Sequence, residues 1–381
     1  MTKKLKIGIV CYPTFGGSGV VATELGKALA DKGHEIHFIT YSQPVRLGAS
    51  RKNVRYHEVN VSDYPLFLYP PYELVLASKM VDVAKYEKLD LLHVHYAIPH
   101  ASAAYMAKQI LADEGIHLPV ITTLHGTDIT LLGKDASFEP VISFAINKSD
   151  VVTAVSQSLR LDTYKLFGIN REIEVVPNFI NFEKMEFPER NAMRKEYAEE
   201  GERILVHISN FRPVKRVVDV IHIFEKVSKV LPARLIMVGD GPDRSRAEQI
   251  CRDEQLCDRI TFLGNVKNPA EVLSVADVFL LPSESESFGL AALEAMALGV
   301  PVISTNSGGL PEVNRHGVTG MMSNIGDVDD MAKNAIYLLE DEKRLERFRA
   351  KALERASEFS IEKVLPLYER LYNSVLGEAK S

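Results

Sequence analysis

Glu286 and Glu294 flank the stretch Ser287-Phe288-Gly289-Leu290-Ala291-Ala292-Leu293, an E-x7-E spacing. Gly289 falls where an apolar run, Val278–Leu281, gives way to an Ala- and Leu-rich segment that reads as a helix. A strand-to-helix junction leaves backbone N–H groups free at the helix start, and such groups bind anions. Two carboxylates beside an anion site repel the anion, unless the ligand also carries hydroxyls that donate to them. A nucleotide-sugar meets both demands, with phosphate at the helix start and sugar hydroxyls on the carboxylates. The plainer reading makes Glu286 a solvated loop residue and Glu294 a surface helix residue. The pair alone favours that reading, because short motifs match by chance; the other candidate sites reverse the balance.

Several further segments carry chemistry at the ends of apolar runs. Tyr12-Pro13-Thr14-Phe15-Gly16-Gly17-Ser18-Gly19-Val20 closes the first run. It is not G-x-G-x-x-G, and the next run ends Phe38-Ile39-Thr40-Tyr41 with no acidic residue, which counts against NAD. Its glycines either let backbone N–H groups approach a ligand or serve a tight turn that needs positive φ. His93 and His95 alternate along one strand and share a face; a buried hydrogen-bonded pair is a stronger reading than a metal pair. His125, followed by Gly126, is a better site candidate, and Asp128 either orients it or caps the next segment. Arg212, Lys215 and Arg216 crowd one turn after an apolar run, where they either clamp a diphosphate or form a solvated basic turn. Val238-Gly239-Asp240-Gly241-Pro242 reads first as a turn and helix cap. Ser304-Thr305-Asn306-Ser307-Gly308-Gly309-Leu310-Pro311-Glu312 is a second glycine loop, ambiguous alone.

The elements that position these residues alternate along the chain. Strands are predicted at 5–11, 35–40, 54–59, 89–95, 119–124, 151–155 and 173–176, with helices at 20–31, 73–88, 101–114, 140–147 and 158–167. Several strands are continuous apolar runs, as expected when helices cover both sheet faces. Pro177-Asn178-Phe179-Ile180-Asn181 breaks the pattern, and the charged stretch 187–201 reads as a linker. Alternation then restarts, with strands at 203–208, 234–238, 259–263, 276–281 and 300–304 and helices at 216–230, 244–254, 269–274, 289–298 and 329–339. Residues 342–376 are helical by pattern. The fold class is α/β, with two doubly wound Rossmann-like domains facing across a cleft. The expected boundaries are 1–177, 178–358, and a C-terminal helix at 359–381 that packs back on the first domain. Ligands of such sheets lie at the carboxyl ends of the strands. Two facing domains imply a hinge that closes on the donor.

Composition narrows the class. The 381 residues are 46% hydrophobic and 25% charged, enough for two cores. A net charge of −6 argues against nucleic acid as partner and against stable membrane association. No apolar run is long enough to span a bilayer, and the N-terminal run stops at Pro13 with no small-residue cleavage site after it. Cys11, Cys251 and Cys257 form no metal-ligand pattern and suit a reducing cytoplasm.

Together, FGGSG at 15–19, HGTD at 125–128, VGDGP at 238–242 and ESFGLAALEAMALGVPVISTNSGGLPE at 286–312 resemble the retaining family-four nucleotide-sugar glycosyltransferases of the GT-B fold. The run 8–47 most resembles the branch that joins N-acetylglucosamine to L-malate at the start of bacillithiol synthesis. The resemblance implies UDP-N-acetylglucosamine (UDP-GlcNAc) as donor, L-malate as acceptor, no cofactor and no metal. It implies Glu294 on the ribose hydroxyls, Glu286 on the sugar ring, and Phe288, Gly289 and Leu290 facing the sugar and β-phosphate. Lys215 would neutralise the diphosphate, Gly17 would approach the phosphate, and His125 would touch the donor sugar. Gly239 and Val266 complete the donor contacts, and Lys215, His125 and Glu286 form the catalytic group. Ser18, Tyr96 and Thr127 are the acceptor-side candidates. The family commonly places arginine where this chain has Asn210, and Arg212 is the candidate replacement. Arg46, Arg51, Lys79 and Lys108 are cations available for a dicarboxylate. A homo-oligomer is compatible with the resemblance.

Three rivals bear on the same residues. A lipid acceptor is suggested by the apolar Leu66-Phe67-Leu68-Tyr69 ahead of Pro70-Pro71. A UDP-sugar 2-epimerase on the same fold needs no acceptor. A non-catalytic two-lobed binding protein would be expected to carry an export signal.

Overall fold

The computed structural model describes residues 4–14, 16–48, 51–62, 68–131, 133, 135–185 and 190–378. The chain forms two compact units. Unit 1 holds the residues up to Asn178 together with those from Ile361 onward, and unit 2 runs Phe179–Ser360.

Unit 1 is built on seven parallel strands: β1 (Lys6–Val10), β2 (Glu35–Thr40), β3 (Val54–Glu58), β4 (Leu91–His95), β5 (Val120–Leu124), β6 (Val151–Ala154) and β7 (Ile173–Val175). Their spatial order is β3-β2-β1-β4-β5-β6-β7. The central strands β4 and β5 are buried at every position, whereas the edge strand β3, Val-Arg-Tyr-His-Glu, has none fully buried. That is the pattern of a parallel sheet with covered faces and one solvated margin. Helices α1 (Gly17–Asp31), α2 (Tyr72–Glu87), α3 (Ser102–Asp113), α4 (Glu139–Lys148) and α5 (Gln157–Leu166) follow their strands.

Unit 2 carries β8 (Arg203–Ile208), β9 (Ala233–Val238), β10 (Ile260–Gly264), β11 (Val278–Leu281), β12 (Val302–Thr305) and β13 (Gly320–Ser323), ordered β10-β9-β8-β11-β12-β13. Its helices are α6 (Arg190–Tyr197), α7 (Val217–Ser228), α8 (Arg244–Asp253), α9 (Pro269–Val275), α10 (Leu290–Ala297), α11 (Leu310–Val313), α12 (Val328–Leu339) and α13 (Glu342–Ser357). On α7, Val217, Val220, Ile221 and Phe224 form one apolar stripe buried in a core with Leu205, Leu235 and Leu280 of the sheet.

Three sequence expectations change. The stretch read as a linker contains α6, and its Arg194 docks on the sheet: Nη2 donates to Asp277 Oδ2 at 2.7 Å and Nη1 to the Val275 carbonyl at 2.8 Å. Residues 186–189 lie outside the described part. Strand β13 is absent from the sequence reading because four residues, Gly-Met-Met-Ser, carry little strand signal. A Cβ on Gly320 would lie 2.1 Å from the Val302 carbonyl, and the side chain of Asn314 bridges Val302 and Ser304 to Thr319. Finally, α1 starts at Gly17, so Gly17 and Gly19 belong to its first turn.

The last helix, α14 (Ile361–Glu378), belongs to unit 1, where Tyr368 and Tyr372 are fully buried. The two chain crossings run side by side: Ile180 N–H donates to the Phe359 carbonyl at 2.9 Å. No described helix is long and apolar enough to cross a membrane.

Asp277, 2% exposed, is the polar anchor of unit 2. It accepts from Arg194, from the Ile204 N–H at 2.8 Å, and from Arg349 Nη2 at 2.8 Å. Breaking a buried pair strands its partner's charge, so Asp277→Ala is expected to lose about 3–5 kcal/mol of unit 2 stability. Urea titration checks this, and a loss below about 1 kcal/mol would show that the arginines find water instead.

Candidate active site

In both sheets the order reverses between the first strand and its neighbour, β1 beside β4 and β8 beside β11. Loops leaving the carboxyl ends of those strands diverge to opposite faces and open a crevice between them.

In unit 2 the two loops are 209–216 and 282–289. Lys215 Nζ meets Glu286 Oε1 at 2.5 Å, with side chains 20% and 13% exposed. Ser283 Oγ donates to the same carboxylate oxygen at 2.9 Å, and Glu284 N–H donates to the Val214 carbonyl at 2.8 Å. Buried His207 fixes the first loop from below. Its Nδ1 can only donate to the Leu280 carbonyl, at 2.8 Å, and burial lowers its pKa to about 4. The neutral ring therefore accepts the Ser209 hydroxyl at Nε2, 2.8 Å, and Ser209 Oγ accepts from Phe211 N–H at 3.2 Å. Phe211 is fully buried. Arg216 turns away to Asp219 at 2.6 Å, while Asn210 and Arg212 are exposed.

Gly289 adopts φ 92°, ψ 51° and begins α10 with no side-chain cap. Its left-handed backbone turns the chain from the 282–288 loop into α10, leaving the first N–H groups of α10 as donors. Phe288 is buried against Phe359, ring centroids 5.6 Å apart. Glu294 lies in the second turn of α10. The glycines around this crevice serve backbone-to-backbone packing. A Cβ on Gly308 would lie 2.1 Å from the Glu286 carbonyl, one on Gly309 2.4 Å from that of Ser287, and one on Gly239 1.8 Å from that of Ser209. Gly239 therefore needs no ligand to explain it. Val266 follows β10, at the sheet margin and half-buried.

In unit 1 the corresponding loops bring Ser18, Tyr96 and Thr127 together. Tyr96 Oη donates to Ser18 Oγ at 2.7 Å and is also hydrogen-bonded to Thr127. Burial, partly offset by these bonds, pushes the Tyr96 phenol up to about 12. Gly17 is exposed in the first turn of α1. Positive φ does not explain this glycine cluster, since Gly16 sits at φ −64°. Close approach does: a Cβ on Gly19 would lie 2.4 Å from the Tyr12 carbonyl. Phe15 lies outside the described residues.

Beneath these loops is a histidine cluster. His95 Nδ1 and His125 Nε2 are 2.8 Å apart, and the His93 and His95 rings stack at 4.6 Å. His93 spends both nitrogens, one on Tyr372 Oη at 2.8 Å and one on Thr123 Oγ1 at 2.7 Å, as a hydrogen-bonded core residue does. His100 bonds the His95 carbonyl. Burial lowers His93 and His125 to about 3, His100 to about 4, and His95 well below the ordinary value. Asp128 does not orient His125. Its carboxylate accepts from Ala97 N–H at 2.7 Å and Gly126 N–H at 3.2 Å, tying the two loops together. Ser283, which steadies Glu286, carries no motif of its own; only its place just after β11 could have marked it.

Of the proposed acceptor cations, Arg51 pairs with Asp31, Lys79 with Asp82 at 3.8 Å, and Lys108 with Asp150 at 2.6 Å. Asp31 ends α1, and Asp150 precedes β6, so Arg51 and Lys108 sit at the amino ends of the strands. Arg46 follows β2 at the carboxyl end.

Known proteins share this architecture. The chain matches the family models "Glycosyltransferase Family 4" over residues 15–184 and "Glycosyl transferases group 1" over 189–355. It is 51% identical over 381 residues to an N-acetyl-alpha-D-glucosaminyl L-malate synthase of Bacillus anthracis, covering 99% of both chains. Among solved structures it is similar to a sucrose-phosphate synthase from Thermosynechococcus elongatus, with TM-score 0.82, 21% identity, and 98% and 100% of the two chains covered. It is equally similar to Anabaena HepE in complex with UDP and glucose, with TM-score 0.82, 20% identity, and 97% and 100% covered. The chain belongs to the family-four glycosyltransferases of the GT-B fold, and it is a hexosyltransferase.

The neutral histidines set a pH dependence. Each has a folded pKa below the ordinary 6.5, so the stabilisation they allow is complete above 6.5 and is lost as pH falls toward 3–4. Asp128, raised to about 6 from 3.8 by burial, acts in the opposite direction between those values. Four histidines outweigh one carboxyl, so unit 1 is expected to melt at a lower temperature at about pH 5 than at about pH 7. Differential scanning calorimetry reads this, and a constant or rising melting temperature would contradict it.

Proposed function

We propose that this enzyme transfers N-acetylglucosamine from UDP-GlcNAc to the hydroxyl of L-malate with retention of configuration, the first step of bacillithiol synthesis. The observation that carries the reading is the full-length, 51% identity to the malate synthase from Bacillus anthracis. The site chemistry supports it. Lys215 and the start of α10 offer positive charge for a diphosphate. Glu286, steadied by Ser283, offers a carboxylate to sugar hydroxyls, and Glu294 to the ribose. Asn210, Arg212, Gly17, Gly239, Val266 and His125 complete the proposed donor contacts. Ser18, Tyr96 and Thr127 face the acceptor, with Arg46 as the cation best placed for a malate carboxylate.

In the proposed step the bond from the anomeric carbon to the β-phosphate oxygen breaks. The malate hydroxyl attacks from the same face and its proton passes to the departing phosphate oxygen. Negative charge grows on UDP as this happens, and fixed positive groups there lower the barrier. Lys215 is held by Glu286 at 2.5 Å. The incoming diphosphate takes over the ammonium, and Glu286 turns to the sugar. The proposal includes no cofactor or metal, and it places the enzyme in the cytoplasm.

Two measurements test this reading. UDP release from UDP-GlcNAc is expected with L-malate and not with other hydroxy-acids, lipids or no acceptor. Conversion of UDP-GlcNAc to an isomeric UDP-sugar without malate would indicate an epimerase, and UDP release only with lipid vesicles would indicate a lipid acceptor. Lys215→Ala is expected to lower kcat roughly 100-fold while donor Kd changes far less. Equal losses in the two would remove Lys215 from the transition state.

A further inference from the structure

Two of the three cysteines, Cys251 and Cys257, lie away from the crevice, at the end of α8. The turn there follows from local backbone chemistry. Gln255 takes φ 55°, the Leu256 N–H donates to the Cys251 carbonyl at 2.9 Å, and the Gln255 N–H donates to the Arg252 carbonyl at 3.1 Å. These are the paired bonds of a left-handed helix stop, in which the chain folds back over the last turn. Leu256 and Cys251 are both 2% exposed in the unit 2 core, the apolar contact that accompanies such a stop. The reversal places Cys257 directly beside Cys251: the two Sγ atoms are 3.1 Å apart, and Cys251 S–H donates to Cys257 Sγ. Both thiols are free; Cys251 is buried and Cys257 exposed.

We propose that Cys251 and Cys257 form a reversible disulfide site that responds to hydroperoxides. Burial raises the Cys251 thiol to about 12, so it stays protonated and donates, while Cys257 is the sulfur that solvent reaches. Cys257 attacks the O–O bond of hydrogen peroxide, becomes a sulfenic acid and releases one water (an alkyl hydroperoxide would release its alcohol instead). The Cys251 sulfur then attacks the Cys257 sulfur, the S–S bond forms, and the sulfenic hydroxyl leaves with the Cys251 proton as a second water. Two thiols are oxidised and one peroxide is reduced to two waters. A dithiol reductant reverses the step by exchange. The third cysteine, Cys11, is fully buried and lies in unit 1, so it serves as an internal control.

The test uses the full-length protein, reduced, freed of reductant and exposed to hydrogen peroxide at low protein concentration. Thiols are then counted after unfolding. The expected result is a fall from three titratable thiols to one, in a monomer lighter by two hydrogen atoms, with the 251 and 257 peptides linked. Dithiothreitol should restore all three thiols. Cys251→Ser should stop the reaction at a sulfenic acid on Cys257 that a dimedone probe traps. The oxidation should also be slower in urea, where the helix stop no longer holds the sulfurs together. Three surviving thiols, linkage only between chains, modification of Cys11 instead, or an equal rate in urea would each overturn the proposal.

Discussion

Each sheet is parallel throughout, and in each the strand order reverses once, beside the first strand. A parallel strand must be reached by a crossover, so the loops leave the carboxyl ends of the strands on one side of each sheet, and helices carry most of the returns. At the reversal the two neighbouring crossovers go to opposite faces, and nothing in the topology covers the gap between their loops. The candidate residues of both units gather at this gap: Lys215 with Glu286 in unit 2, and Ser18 with Tyr96 in unit 1. The helices, cores and caps elsewhere hold two crevices in place.

The crevice of unit 2 is electrostatically prepared for a ligand with two kinds of group. The ammonium of Lys215 is kept in the site by the Glu286 carboxylate, the group proposed to take sugar hydroxyls. The uncapped start of α10 adds N–H donors that no side chain can withdraw. Support comes from unreactive groups. Neutral His207 holds the lysine loop through Ser209, and the Ser307–Gly309 loop holds the Glu286 backbone, whose carbonyl accepts the Gly309 N–H at 2.8 Å. Unit 1 uses the same device on a larger scale, with a stack of uncharged imidazoles beneath the loops and one buried carboxyl joining them.

Much of this was legible in the residues. Continuous apolar runs announce central parallel strands, and Gly289 between such a run and an Ala-rich segment marks the start of a helix. Ser18, Tyr96 and Thr127, far apart in sequence and acceptor-side candidates only through the family resemblance, are joined by hydrogen bonds in the fold. What stayed hidden depends on contacts between distant segments. The Lys215–Glu286 pair spans 71 positions, and no local pattern encodes it. The helix at 190–197 is too polar to announce a buried face, and its reason for being there is one arginine reaching Asp277. The glycines at 239, 308 and 309 resemble ligand-approach positions in sequence, yet their missing side chains make room for neighbouring backbone. Asp128 could have served a histidine or a cap, and only the position of the Ala97 N–H decides it.

The last helix belongs to the first unit, and this has a bearing on how the protein is made. During synthesis the sheet of unit 1 leaves the ribosome long before α14 exists. Until α14 arrives, His93 lacks the Tyr372 hydroxyl that holds its Nδ1, and the surface that Tyr368 and Tyr372 will cover stays open to water. The whole of unit 2 must be translated in the interval. The nascent chain therefore completes its second half while the first is still waiting for its closing piece, and loss of α14 damages the half that was made earliest.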